Sequence, residues 1–249
     1  MILASETHGS GRDVTFVHGF TQTRTSWLPV VARLTGVRAT LIDAPGHGGS
    51  VDSSRSLPET GDDIGDTIPI GVLVGYSMGA RMALHTALSR PDRVTGLVLV
   101  SGTPGIEDEG ERSARRKSDE ALADRIETIG VPAFIDEWLA NPMFAGLTAE
   151  MAMRPARLSN TAEGLAGSLR NCGTGTQENL WPRLRELTMP VLVVCGADDA
   201  KFAAIASRMN GDVAGSELVS VPDAGHTVHL EKTGEFARVL QEWLVRHTP

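Results

Sequence analysis

The sequence predicts an α/β fold in which a mostly parallel sheet is covered by helices on both faces and interrupted by a helical insertion. Three observations carry the prediction. Short, largely apolar runs of strand length recur at residues 14–17, 38–42, 72–74, 96–101, 190–195 and 217–221. Helix-compatible stretches lie between them, and apolar strands alternating with helices are the pattern of a parallel sheet buried on both sides. From Glu107 to about Trp181 there is no convincing strand. The chain therefore divides into a sheet-forming core, residues 1–105 and 183–249, and a helical insertion, residues 106–182.

Taken in order, residues 2–7 form a short first strand, turned by Gly9-Ser10-Gly11. The strand at 14–17 runs into His18-Gly19-Phe20-Thr21, and a short helix is expected over 26–34. The strand at 38–42 ends in Asp43-Ala44-Pro45-Gly46-His47-Gly48-Gly49-Ser50, whose proline and glycines make a rigid turn. Residues 51–68 are polar and contain Pro58 and Gly61. The apolar run 72–74 then meets Gly75-Tyr76-Ser77-Met78-Gly79, with a helix-compatible run over 80–88. After the strand at 96–101, residues 109–129 are charged and helix-prone. Residues 131–139 have helical spacing, with Pro132 in the first turn, where proline is tolerated. Further helical pieces are expected at 149–158 and 162–169, and residues 236–246 form a closing amphipathic helix.

Composition limits the function classes. The 249 residues suffice for one α/β domain, and 41% hydrophobic with 22% charged residues is ordinary for a soluble globular protein. A net charge of −8 argues against nucleic acid and anionic membranes as partners. An anionic ligand would need a local basic pocket. Cys172 and Cys195 lie far apart and match no metal spacing, so they read as reduced thiols of a cytoplasmic protein. Met1 to Glu6 lacks the basic and apolar regions of a signal peptide, and no run approaches the roughly 18 apolar residues of a membrane span. No ligand cluster for a metal, no organic cofactor site and no obligate protein partner is evident.

The chemistry concentrates where strand, turn and helix meet at Ser77. Small residues at 75 and 79 allow a sharp turn that holds the Ser77 hydroxyl above the sheet. The Met78 amide, at the start of the following helix, can face a developing oxyanion. An activated serine needs a base, and the base needs an orienting acid. Ala224-Gly225-His226 follows the last strand and supplies the base. Cys195-Gly196-Ala197-Asp198-Asp199 follows the strand before it and supplies the acid, open on residues alone between Asp199 and Asp198. Asp223 reads as a turn former.

These motifs, in this order, resemble those of the α/β-hydrolases. The resemblance implies that fold, with residues 106–182 as a helical cap inserted in the core. It implies a Ser77–Asp199–His226 triad, because family members show Gly-x-x-Asp, and a Phe20 amide beside that of Met78 in the oxyanion hole. The Asp43–Ser50 loop would border the pocket, with no catalytic role for His47. Family members carry a longer helix before the Ser77 strand, so residues 51–68 look truncated.

A narrower resemblance covers nearly the whole chain. Arg81 stands four residues after Ser77. Glu111-Arg112-Ser113-Ala114-Arg115-Arg116-Lys117-Ser118-Asp119 and Trp138-Leu139-Ala140-Asn141-Pro142-Met143-Phe144 follow. Then come Arg157-Leu158-Ser159-Asn160, Gly173-Thr174-Gly175-Thr176-Gln177, Asp199-Ala200-Lys201-Phe202 and Gly225-His226-Thr227-Val228-His229. This set is similar to the 2-succinyl-6-hydroxy-2,4-cyclohexadiene-1-carboxylate synthases of menaquinone biosynthesis. The resemblance implies a cofactor-free lyase that eliminates pyruvate from a small tricarboxylate, with Ser77 as proton acceptor. Arg81, Arg115 and Arg157 would bind the carboxylates, and Tyr76 and Trp138 would wall the pocket. Arg112, Arg116 and Lys117 read as a solvated helix face. The same triad also fits a carboxylesterase or C–C hydrolase. A non-catalytic binding module of this fold is the third reading, against which the presence of all three triad residues weighs.

Overall fold

The apolar runs pair as one seven-stranded sheet in a computed structural model that describes residues 1–247. The strands are β1 (Ser5–Gly9), β2 (Arg12–Val17), β3 (Val37–Ile42), β4 (Gly71–Tyr76), β5 (Val94–Val100), β6 (Val191–Gly196) and β7 (Glu217–Val221). Their order across the sheet is β1-β3-β2-β4-β5-β6-β7, which puts β4 at the centre. β1 is antiparallel to β3, and every other pair is parallel. All the parallel strands therefore end on the same edge. Loops that leave that edge can meet.

Alternation along the strands builds two cores. Val72 and Val74 of β4, with Val98, Val100, Leu192 and Val194, face one side. There they pack against Trp27 and Val30, before and within α1 (Leu28–Val31). Leu73, Leu97, Leu99 and Val193 face the other side. That layer is covered by α2 (Leu57–Thr67) and α3 (Met78–Ser89). The first layer is completed by Phe236, Leu240 and Trp243 of the C-terminal helix described below.

Between β5 and β6 the chain is helical. α4 (Glu109–Leu139) breaks at Gly130, whose φ of 76° is a left-handed conformation that favours glycine. Short α5 (Arg154–Arg157) and α6 (Ala162–Cys172) follow. Ala123, Ile126, Phe134 and Ile135 of α4 pack on Leu165, Ala166 and Leu169 of α6, a third cluster with Phe20 and Trp138 at its border. After β6 come α7 (Ala200–Asp212), α8 (Val228–Glu231) and α9 (Thr233–His247). Among the described residues no helix is long and apolar enough to cross a membrane.

The mostly parallel α/β sheet with a helical insertion is as expected, but four elements differ from the sequence reading. The first strand is Ser5–Gly9 rather than 2–7, because its register is set by pairing Ser5 with Ile42. The stretch expected as a helix over 149–158 is mostly turns, with helix only at Arg154–Arg157. α7 was not anticipated; only Ala206 and Met209 are buried along it, too sparse a stripe to read as periodicity. Within the polar stretch 51–68, α2 is a regular helix of 11 residues. Its sequence signal is a capping box: the Ser56 hydroxyl accepts from the Glu59 N–H, and the Ser56 N–H donates to the Glu59 carboxylate at 2.9 Å. Pro58 sits in the first turn, where its missing N–H costs nothing. Ser56→Ala should lower stability by about 1 kcal/mol, read as a lower urea midpoint at unchanged m-value. An unchanged midpoint would mean that α2 is held by packing on α3 alone.

Candidate active site

Ser77 sits at the turn between β4 and α3 with φ 52° and ψ −107°, strained for a non-glycine residue. Close backbone approach forces this geometry. A Cβ on Gly75 would lie 2.3 Å from the Gly79 carbonyl oxygen, and one on Gly79 would lie 2.3 Å from that of Val17. The Ser77 N–H donates to the Val100 carbonyl at 2.8 Å, fixing the turn to the neighbouring strand.

From the ends of β7 and β6 come the partners. His226 Nδ1 donates to Asp199 Oδ2 at 2.7 Å, which leaves Nε2 to accept from the Ser77 hydroxyl at 3.0 Å. The bond goes to Asp199; Asp198 is exposed and is held through its backbone N–H to Ala224. Burial alone would raise the Asp199 carboxyl, but hydrogen bonds from His226 and the Phe202 N–H outweigh it and leave it below its ordinary value. The Phe202 ring packs 4.4 Å from the His226 ring, centroid to centroid. Glu231, absent from the sequence reading, holds the histidine loop by accepting from the Gly225 N–H at 2.7 Å and the Thr227 N–H at 2.8 Å. A Glu five residues after a loop histidine carries no sequence signal of its own.

The loop after β2 is held by buried histidines. His47 Nε2 accepts from the Thr21 N–H at 3.3 Å, and His18 Nε2 accepts from the Ala44 N–H at 3.1 Å. His18 lies 3.9 Å from Asp43, yet burial keeps it neutral by lowering its pKa. Asn160 clamps the same loops, its side chain accepting from the Gly48 N–H at 2.9 Å and donating to the Thr21 carbonyl at 2.8 Å. Phe20, whose amide belongs to this loop, stacks edge-on against Trp138 at 5.3 Å.

Ser77 and His226 open into a cavity of about 710 Å³, to whose walls Phe20, Tyr76, Met78, Arg81, Arg115, Trp138, Arg157 and Asp199 also contribute. Every site residue expected from sequence is thus at one cavity. Arg81 donates to the Cys172 carbonyl at 2.7 Å. Arg157 donates to the Ala152 carbonyl at 2.8 Å and to the Thr21 hydroxyl. Burial lowers both guanidinium pKa values to about 10, so both stay charged at neutral pH. Arg115 differs: its Nε donates to Asp119 at 2.7 Å, and Asp119 also accepts from the Gly175 N–H at 3.0 Å. Asp119 is buried and went unnoticed as a site residue; its spacing of four from Arg115 on a helix was the available signal. Tyr76 is buried, its hydroxyl 3.1 Å from the Thr227 hydroxyl, and burial raises its pKa.

The alpha/beta hydrolase family model matches residues 16–239. A 2-succinyl-6-hydroxy-2,4-cyclohexadiene-1-carboxylate synthase of Serratia proteamaculans (strain 568) is 34% identical over 239 residues, 92% of this chain and 92% of its own length. MenH from S. aureus has a TM-score of 0.90 and 30% identity, over 98% of this chain and 99% of that chain. A malate-bound thermophilic esterase from Thermogutta terrifontis has a TM-score of 0.86 and 27% identity, over 99% of this chain and 94% of that one.

The buried histidines make the loop that carries Phe20 acid-sensitive. Burial first, and then the neighbouring His18, push the His47 pKa down from 6.5 to about 3. A histidine whose folded pKa is depressed is neutral in the fold and protonates more readily in the unfolded chain. Its contribution is complete above about pH 6.5 and falls as pH drops toward 3, at up to about 1.4 kcal/mol per pH unit. The urea midpoint should therefore drop between pH 7 and pH 5, and His47→Gln should make that drop shallower. Equal pH slopes in the two proteins would remove His47 from this account.

Proposed function

The chain belongs to the α/β hydrolase family and, within it, to the 2-succinyl-6-hydroxy-2,4-cyclohexadiene-1-carboxylate synthases, and from that membership we propose how its residues work. It is a lyase of menaquinone biosynthesis that eliminates pyruvate from 2-succinyl-5-enolpyruvyl-6-hydroxy-3-cyclohexene-1-carboxylate. The observation that carries the residue assignment is one cavity holding both a hydrogen-bonded Ser77–His226–Asp199 relay and three arginines. Residues 1–105 and 183–249 act as the hydrolase core, and residues 106–182 as a cap that carries Arg115, Trp138 and Arg157 over the triad. The two free, buried cysteines suit the reducing cytoplasm, where we place the enzyme.

The succinyl ketone acidifies the ring C–H beside it. Ser77, made basic by His226, takes that proton, and Asp199 stabilises the imidazolium that results. The ketone oxygen becomes an enolate held by the amides of Phe20 and Met78. The electron pair then returns through the ring: the enolate re-forms the ketone, the ring double bond shifts, and the carbon–oxygen bond to the enolpyruvyl group breaks. Pyruvate leaves as its enolate and is protonated, and the ring keeps two conjugated double bonds. Arg81, Arg115 and Arg157 bind and orient the carboxylates, which guanidinium forks suit. Tyr76 and Trp138 shape the wall. No step calls for a metal or organic cofactor.

The deciding experiment follows pyruvate release from the enolpyruvyl tricarboxylate beside hydrolysis of p-nitrophenyl acetate and butyrate. We expect rapid pyruvate release and feeble ester cleavage. Ser77→Ala should cut kcat by more than about a thousandfold while leaving the fold intact. Arg115→Ala should act mainly on KM, raising it about tenfold. Brisk ester cleavage without pyruvate would move the protein to the carboxylesterase reading, and full activity in Ser77→Ala would remove the triad from the mechanism.

A further inference from the structure

Lys201 stands within the Asp199-Ala200-Lys201-Phe202 motif, between two residues that serve the site, yet the mechanism above gives it no role. It stands in the first turn of α7, whose amide end carries partial positive charge; the acidic group that acts on it there is the N-cap carboxylate of Asp199, through space and without an ion-pair contact. Its side chain is exposed and forms no ion pair among the described residues. Even so, it lines the same cavity as Ser77. Its ammonium lies 5.8 Å from the centroid of the Phe202 ring, the ring that packs on His226. The cation is therefore at the edge of the cavity beside the general base.

A charge count gives this placement a purpose. Four cations line the cavity: Arg81, Arg115, Arg157 and Lys201. Arg115 is already paired with Asp119. Arg81 and Arg157 donate only to carbonyl and hydroxyl oxygens. Of the lining carboxylates, Glu137 is paired with Arg125, and Asp199 is bonded to the neutral His226 and acts on Lys201 only through space. Three cations therefore remain without a carboxylate: two fixed and buried, and one free to swing at the edge. A tricarboxylate brings three carboxylates.

We propose that Lys201 is the third charge anchor of the site, its ammonium sharing with the Asp119-paired Arg115 the substrate carboxylate that the buried Arg81 and Arg157 leave uncovered. The proposal rests on the tricarboxylate reading given above. Arg115, held by Asp119, adds hydrogen bonds and shape without adding net charge. An exposed lysine also acts before docking, because a cation at a cavity edge with no ion-pair partner speeds the approach of an anion. Its contribution is correspondingly screened by salt.

The test compares Lys201→Gln and Lys201→Arg with the unaltered enzyme in pyruvate release at low and raised ionic strength. In parallel, the binding of propane-1,2,3-tricarboxylate, a stable trianion, is titrated by calorimetry. Lys201→Gln should raise KM and the calorimetric Kd about tenfold at low salt and flatten their salt dependence; Lys201→Arg should restore most of both. A Lys201→Gln enzyme with unchanged KM and Kd overturns the proposal, as does a Lys201→Arg enzyme as impaired as the glutamine variant. If the unaltered enzyme binds the trianion in a Lys201-dependent way but releases no pyruvate, the anchor stands and the lyase reading falls. If it does neither, both fall.

Discussion

The contact on which the site depends is between two stretches of backbone. Gly79, in the first turn of α3, lies so close to the end of β2 that a Cβ there would come within 2.3 Å of the Val17 oxygen and 2.6 Å of the His18 oxygen. The helix that starts at Met78 is thereby pressed onto the loop that carries Phe20. In the oxyanion hole proposed above, amides from segments nearly sixty residues apart serve one place beside Ser77. The strained φ of Ser77 follows from the same constraint, since the chain must leave β4 and enter α3 without room for side chains at 75 or 79. His47 and Asn160 bond the Thr21 backbone and His18 bonds the Ala44 N–H, tying this loop to the one after β3 and to the helical insertion. Donors fixed in this way before substrate arrives would need no reorganisation when charge develops.

Charge is the second organising constraint. The protein carries a net −8, yet it gathers four cations around one cavity. Two of them, Arg81 and Arg157, are buried with no carboxylate, an arrangement that costs stability in the empty protein. The cost is limited by charge-assisted hydrogen bonds to the Cys172 and Ala152 carbonyls, which keep each guanidinium in place and leave its remaining N–H groups for a ligand. Arg115 is different in kind. Its pairing with the buried Asp119, which also holds the Gly175 amide, ties the first half of α4 to the turn after α6. One ion pair thus serves both the architecture of the helical insertion and the aim of an arginine.

Much of this was legible in the sequence, for physical reasons. The central strands are continuous runs of valine and leucine, because each is covered on both faces, and such runs need no partner to be recognised. Ser77, Asp199 and His226 were legible by order, since the ends of parallel strands share an edge and the residues just beyond them must meet. What escaped notice depends on tertiary context. α7 buries only two residues, so its periodicity is faint. α2 is polar, and its evidence lies in the Ser56–Glu59 cap rather than in its interior. Glu231 and Asp119 work by accepting backbone N–H groups from loops, at positions where any polar residue would look like surface.

The arrangement also explains how a triad able to acylate can serve an elimination. Proton abstraction and nucleophilic addition use the same Ser77 oxygen, the same His226 base and the same pair of amides, because an enolate and a tetrahedral adduct both place negative charge on the former carbonyl oxygen. The outcome is decided by what lies in front of the serine. An ester carbonyl presents a carbon with a leaving group attached, so addition goes forward to an acyl-enzyme. A ketone flanked by carbon has no heteroatom to expel, and addition to it reverses unless a neighbouring carbon can leave as a stabilised carbanion. When fixed cations hold the ring so that its acidic hydrogen, not its carbonyl carbon, faces Ser77, removing the proton sends charge toward a carbon–oxygen bond that can break. In the mechanism proposed above, selection between the two reactions rests with the arginines and the wall of the cavity rather than with the triad, so a shared fold and triad do not by themselves fix the chemistry.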